Sequence, residues 1–151
     1  MEILRAKWGY NPAMIPLVIA AMLAAAAAPA ATATITKPKA RTVTGGVCRL
    51  AANGTFGGNF GPNASLPTLA LTIGPGAAMA DQLHANKARF AGPGKYANEI
   101  IAVYLGKTAL EDSYLGLGTI VISADGKSGT FSLNDNSASG TFDCGIAPAR
   151  P

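Results

Sequence analysis

His84 is the sole imidazole of the chain and Cys48 and Cys144 its sole thiols, with eight acidic side chains among 151 residues. Hydrolysis needs a nucleophile, a base and a group that orients the base. No serine stands in a G-x-S-x-G pattern, and His84 lies between Leu83 and Ala85, the setting of a strand or surface histidine rather than of a base. Gly126-Lys127-Ser128 looks like the end of a phosphate-binding loop, but that pattern requires glycine where this chain has Val121. Asp125, Asn134, Asp135, Asn136 and Asp143 fit no calcium-loop spacing, and Asp and Asn are what turns require. These residues predict no catalytic set, no metal site and no cofactor, and so a protein that is not an enzyme.

The two cysteines allow one intramolecular bond, Cys48–Cys144, and nothing resembles the C-x-x-C of a redox pair. A bridge over that span encloses nearly the whole domain. On the chain-entropy view it contributes about 4 to 5 kcal/mol, a useful clamp for a small core.

Such a bond fits export, and the N-terminus has the layout of a leader. Arg5 and Lys7 precede Met14-Ile15-Pro16-Leu17-Val18-Ile19-Ala20-Ala21-Met22-Leu23 and an alanine tract. Small residues in A-x-A spacing follow at Ala28-Pro29-Ala30 and at Ala31-Thr32-Ala33. Cleavage after Ala33 is the favoured reading, which makes 1–33 a signal peptide. The competing reading, an uncleaved anchor, is disfavoured by the short apolar stretch and by Pro29. Removing Arg5, Lys7 and Glu2 takes the formal charge from +4 to +3, an excess that Lys37, Lys39 and Arg41 account for. They mark 34–41 as a basic linker. The rest is near neutral and offers no electrostatic surface to nucleic acid.

The elements that position these residues are clearest near the C-terminus. Residues 118–134 alternate apolar and polar around Asp125-Gly126, a hairpin signal that sets Ile120 opposite Phe131 and Ile122 opposite Gly129. Ser-Gly-Thr-Phe recurs at 128–131 and 139–142. With 135–138 as the loop, Phe131 faces Phe142 and Gly129 faces Cys144, where the missing side chain leaves room for the disulfide. Strands at 42–52, 67–73, 99–106, 118–124, 127–134 and 139–145 follow, with 99–106 apolar enough to be buried on both sides. Residues 77–90 fit a helix, a strand or a loop. The whole reads as all-β: an antiparallel β-sandwich or small barrel of about six to seven short strands, closed by one disulfide and preceded by a signal-peptide helix. The domain occupies 42–147 and a tail 148–151.

For ligand contact the aromatic residues are the candidates. Phe56 and Phe60 lie in a glycine-rich loop over 53–63, either displayed to a ligand or folded back over an open end; the second is favoured because exposed rings cost solubility. Tyr96, Tyr104 and Tyr114 complete the set, since Trp8 lies in the leader.

Three segments carry a resemblance: Gly92-Pro93-Gly94-Lys95-Tyr96, residues 124–131 and residues 138–144. Together they resemble small exported proteins of high-GC Gram-positive bacteria, most of unassigned function. A cysteine in the first strand and another in the last looks, more distantly, like the mycobacterial surface lipoprotein antigens. The lipid-bearing cysteine of those antigens is absent here, so the resemblance implies contact with the membrane only in transit, through the leader. The expectation is a secreted, non-enzymatic cell-envelope or extracellular protein that binds an extracellular or cell-wall ligand by surface contact. The alternative is a carbohydrate-binding module that stacks sugars on tyrosine and phenylalanine.

Overall fold

The computed structural model describes residues 27–75 and 87–149. The expected signal-peptide helix falls outside them, as do Met79, Leu83 and His84 from the ambiguous segment. Among the described residues nine strands occur in chain order: β1 (Thr32–Lys37), β2 (Arg41–Thr44), β3 (Gly46–Leu50), β4 (Phe56–Phe60), β5 (Leu69–Ile73), β6 (Gly94–Tyr104), β7 (Ser113–Ile122), β8 (Ser128–Leu133) and β9 (Ser139–Asp143). All belong to one antiparallel sheet in the order β2-β1-β9-β8-β7-β6-β5-β4-β3.

Among the described residues nine strands replace the expected six to seven, and of the two expected architectures, sandwich or small barrel, a single curled sheet favours the barrel. Its two edge strands, β2 and β3, are separated in sequence by Gly45 alone, so one bent segment meets both flanks and the sheet is a nearly closed barrel. The bend is stitched from either side. Gly45 N–H donates to the Ala31 carbonyl (2.8 Å), and the Gly45 carbonyl accepts from Gly61 N–H (3.0 Å). Gly45 and Gly46 have φ of 102° and 117°, and a Cβ on Gly46 would stand 2.0 Å from the Asn59 carbonyl oxygen, so only glycine fits this corner.

Alternation along each strand fills the interior. Ile35, Phe56, Phe60, Leu69, Leu71, Ile73, Ile101, Val103, Ile120 and Phe131 are fully buried, and they make the inside of the barrel a packed core rather than a channel. The stretch read as a basic linker contributes to it: Thr34–Lys37 belong to β1, between β2 and β9, and Ile35 points inward, as does Ala33 from the end of the stretch read as signal peptide. The domain therefore begins ahead of position 42. Basic residues within a few positions of Thr-Ala-Thr-Ile-Thr hid a short alternating strand.

The β7–β8 pairing sets Ile120 opposite Phe131 and Ile122 opposite Gly129, as the hairpin signal predicts. The β8–β9 pairing differs by two residues. Leu133 N–H donates to the Ala138 carbonyl, so the loop is 134–137, with Asn136 at φ 60° and Asp135 accepting from the Ser137 N–H and hydroxyl. A shift of two keeps every side chain on its expected face but changes its partner. The two Ser-Gly-Thr-Phe repeats now pair head to tail, so Gly129 faces Phe142 and Gly140 faces Phe131. The space above Gly129 holds the Phe142 ring, not the disulfide.

Strand β6 runs over 94–104 instead of 99–106, with a bulge between Tyr96 and Glu99 and Asn98 at φ 57°. Among the described residues, no second sheet lies over its outward face. On it Ile100 is half-buried and Ala102 is 5% exposed, beside Leu115 (68%) and Leu117 (40%) on β7, so Ile101–Val103 are buried on both faces, as the unbroken apolar run predicts, while the neighbouring leucines stay open.

Cys48 and Cys144 are bonded, with Cα atoms 5.6 Å apart and a sequence separation of 96. They join β3 to the residue after β9, two strands that do not pair with each other, across the seam where β1 and β2 meet the bend. A bond of this kind belongs to an oxidising compartment.

Candidate binding surface

One end of the barrel is plugged by side chains. Phe90, from the segment that precedes β6, stacks on Phe56 (centroids 5.0 Å apart) and on Tyr96 (5.6 Å). Its N–H donates to the Gly54 carbonyl. Glu99 points inward and is 6% exposed, with Oε1 3.2 Å from Lys87 Nζ and Oε2 accepting from Gly74 N–H. Lys87 also donates to the Ala97 and Asn98 carbonyls. The carboxylate is thus paired and hydrogen-bonded, which is the condition for keeping a charge inside, and it ties the plug to β5 and β6.

Outside the plug lies a cleft of about 520 Å³, walled by Leu50–Ala52, Gly54, 89–93, Gly126, Ala147 and Pro148. Arg89 is the one ionisable side chain on its described walls. A single guanidinium among alanine, glycine and proline offers no acid–base pair and no nucleophile. Among the described residues, no three of His, Cys, Asp and Glu are grouped to hold a metal ion.

The aromatic candidates do not converge. Phe56 and Phe60 sit on β4 rather than in a loop, and both are core residues, Phe60 against the Phe142 ring. Tyr96 is half-buried, its hydroxyl donating to the Gly92 carbonyl (2.7 Å) and accepting from Ala91 N–H. Tyr114 leans on the core and donates to Asp112 (2.9 Å), whose carboxylate raises its pKa above the usual tyrosine value. Tyr104 faces outward on β6, apart from both.

What sequence reasoning missed is the outward face of the other half of the barrel. Thr42 and Thr44 on β2 stand beside Thr34 and Thr32 on β1, and these beside Thr141 and Asp143 on β9. Thr36 meets Ser139. Next come Ser128, Thr130 and Ser132 on β8, then Thr119 on β7. Neighbouring strands lie about 4.8 Å apart and alternate residues along a strand about 6.7 Å apart, so the hydroxyls form a grid. Thr34 and Thr42 share a hydrogen bond (3.2 Å), and Thr36 donates to the Ser139 carbonyl (3.0 Å). A shallow groove between Thr32, Thr34, Ser128, Thr130 and Thr141 runs through it. The charges lie at the margin of the grid: Asp143 is occupied by Gly145 N–H (2.7 Å) and Lys127 (3.7 Å), and exposed Lys37 pairs with Ser139 at the other end of β1, while Val121 is the apolar neighbour of Thr130. The chain matches no family model, no curated protein and no solved structure. Nothing outside its own geometry therefore assigns a role to this face. The signal was available in the T-x-T and S-x-T spacing at 32–36, 42–44, 128–132 and 139–141, once those segments are strands.

The turns at the edges of the grid are held by carboxylates. Asp125 accepts from Lys127 N–H, from the Ser128 hydroxyl and from Ser128 N–H, and these bonds lower its pKa from the ordinary 3.8 to about 2. A folded value below the unfolded one stabilises fully above 3.8 and is lost as the pH falls toward 2. An NMR titration of the Asp125 carboxyl should find its midpoint near 2, and Ser128→Ala should raise it. A midpoint at the ordinary 3.8 would show that the turn does not bind the carboxylate.

Proposed function

We propose that this chain is an exported, non-enzymatic barrel that binds a neutral, hydroxyl-rich polymer of the cell envelope through its Ser/Thr face. The observation that carries this is the composition of that face: serine and threonine in register on four adjacent strands and Thr119 on a fifth, with charge only at the margin, at Asp143 and Lys37. Threonine suits strands in general. That preference does not account for the absence of Lys, Arg and Glu from the middle of this grid when Arg49 on β3 and Lys95 on β6 are exposed. Short hydroxyl side chains donate and accept alike, as sugar hydroxyls do. An anionic or cationic ligand finds no counter-charge in the middle of the grid, and an apolar one would choose Leu115 and Leu117. The disulfide and the leader-like N-terminus support the export half of the reading. Sugar stacking is the weaker alternative, because the rings do not share a face.

The test is co-sedimentation of the oxidised protein with insoluble neutral envelope glycan. Thr42→Lys with Thr130→Lys, at two exposed sites on separate strands, should reduce the bound fraction at least tenfold, while Leu115→Lys with Leu117→Lys should leave it unchanged. Binding unaffected by the threonine pair, or lost with Tyr104→Ala instead, would refute the assignment of the site.

A further inference from the structure

We infer that the exported chain is cut after Ala30 and begins at Ala31, not at Thr34; this rests on the export reading above. Two A-x-A segments overlap the start of the domain, Ala28-Pro29-Ala30 and Ala31-Thr32-Ala33, and by residue type a peptidase that wants small side chains accepts either. The fold separates them. A cut after Ala33 falls inside β1 and removes its first two residues, Thr32 and Ala33. Thr32 pairs with Thr44 on one side and Asp143 on the other, and Ala33 pairs with Val43 and Phe142. Ala33 is 1% exposed and Ala31 5%, both inside the core. The Ala31 carbonyl is also the acceptor for Gly45 N–H, one of the two bonds that hold the corner between β2 and β3.

Losing these residues would open the barrel at its seam, next to the disulfide. Residues 27–30, by contrast, are exposed and belong to no strand. Cutting after Ala30 therefore leaves every pairing of β1 in place. The step is hydrolysis by a membrane-bound signal peptidase: water adds across the Ala30–Ala31 amide, leaving a carboxylate on Ala30 and an α-ammonium on Ala31.

The full chain is expressed in a bacterial host, and protein from the culture fluid and envelope is read by N-terminal sequencing and intact mass. Ala31 is the expected first residue. Exported protein that starts at Thr34, or at any residue other than Ala31, overturns the inference and leaves export standing. An intact Met1 chain retained by the cell overturns both. Ala30→Lys, at an exposed position outside the strands, should abolish the processed species; a variant that still matures at Thr34 would show that the second site is used.

Discussion

Reduction of the Cys48–Cys144 bond should lower stability by about 4 to 5 kcal/mol, the chain-entropy value for a loop of this length, and Cys48→Ser or Cys144→Ser should each cost at least about 2 kcal/mol. The bond has a sequence separation of 96 and joins β3 to the end of β9, which no ladder connects. Freed from it, β3 keeps only its pairing with β4 and the Gly45 stitch. Cys144 is also 5% exposed, so a serine in its place would bring a hydroxyl into the core. Denaturant midpoints of oxidised and reduced samples, taken after a thiol count, decide the matter. An unchanged midpoint would mean that the seam holds without its clamp.

Replacing Gly129 or Gly140 by alanine should destabilise the barrel, against the usual direction for glycine in a strand, where alanine gains up to about 1 kcal/mol. A Cβ on Gly129 would stand 2.0 Å from the Val121 carbonyl oxygen and 2.8 Å from Phe142 Cζ. On Gly140 it would meet the Thr34 carbonyl oxygen at 2.2 Å and the Phe131 ring at 2.9 Å. Backbone and core ring must both move, at a cost of about 2 to 3 kcal/mol for each glycine. Gly57 is the internal comparison, because a Cβ there meets nothing within 4 Å. Gly57→Ala should be neutral or stabilising. Loss at Gly57 equal to that at Gly129 would show that the paired Ser-Gly-Thr-Phe repeats do not pack ring over glycine.

The C-terminal half was legible because its strands alternate apolar and polar residues and are joined by turn-forming residues: Asp125-Gly126 and Asp135-Asn136 leave β7, β8 and β9 little freedom of face. The two-residue error between β8 and β9 came from the side chain of Asp135, which closes the loop one residue earlier on either side than composition suggests. Two strands were hidden for different reasons. β1 begins within a run of small residues that also reads as a leader, and β4 is Phe-Gly-Gly-Asn-Phe, whose glycines signal a loop although Phe56 and Phe60 alternate correctly with outward Gly57 and Asn59. Barrel closure itself depends on two glycines at 45 and 46, a corner that no periodicity in the flanking residues announces. The Ser/Thr face went unread for the same cause, since its hydroxyls come together only when β1 lies between β2 and β9.

That placement of β1 supports the seam, the hydroxyl grid and the processing site together, and hydrogen exchange tests it directly. In the oxidised protein, the amides of β1 from Ala33 to Ile35 should exchange as slowly as those of β8, because ladders run along both sides of the strand. Exchange of these amides at the rate of exposed residues 27–30, with β7–β9 still protected, would contradict a barrel closed through β1.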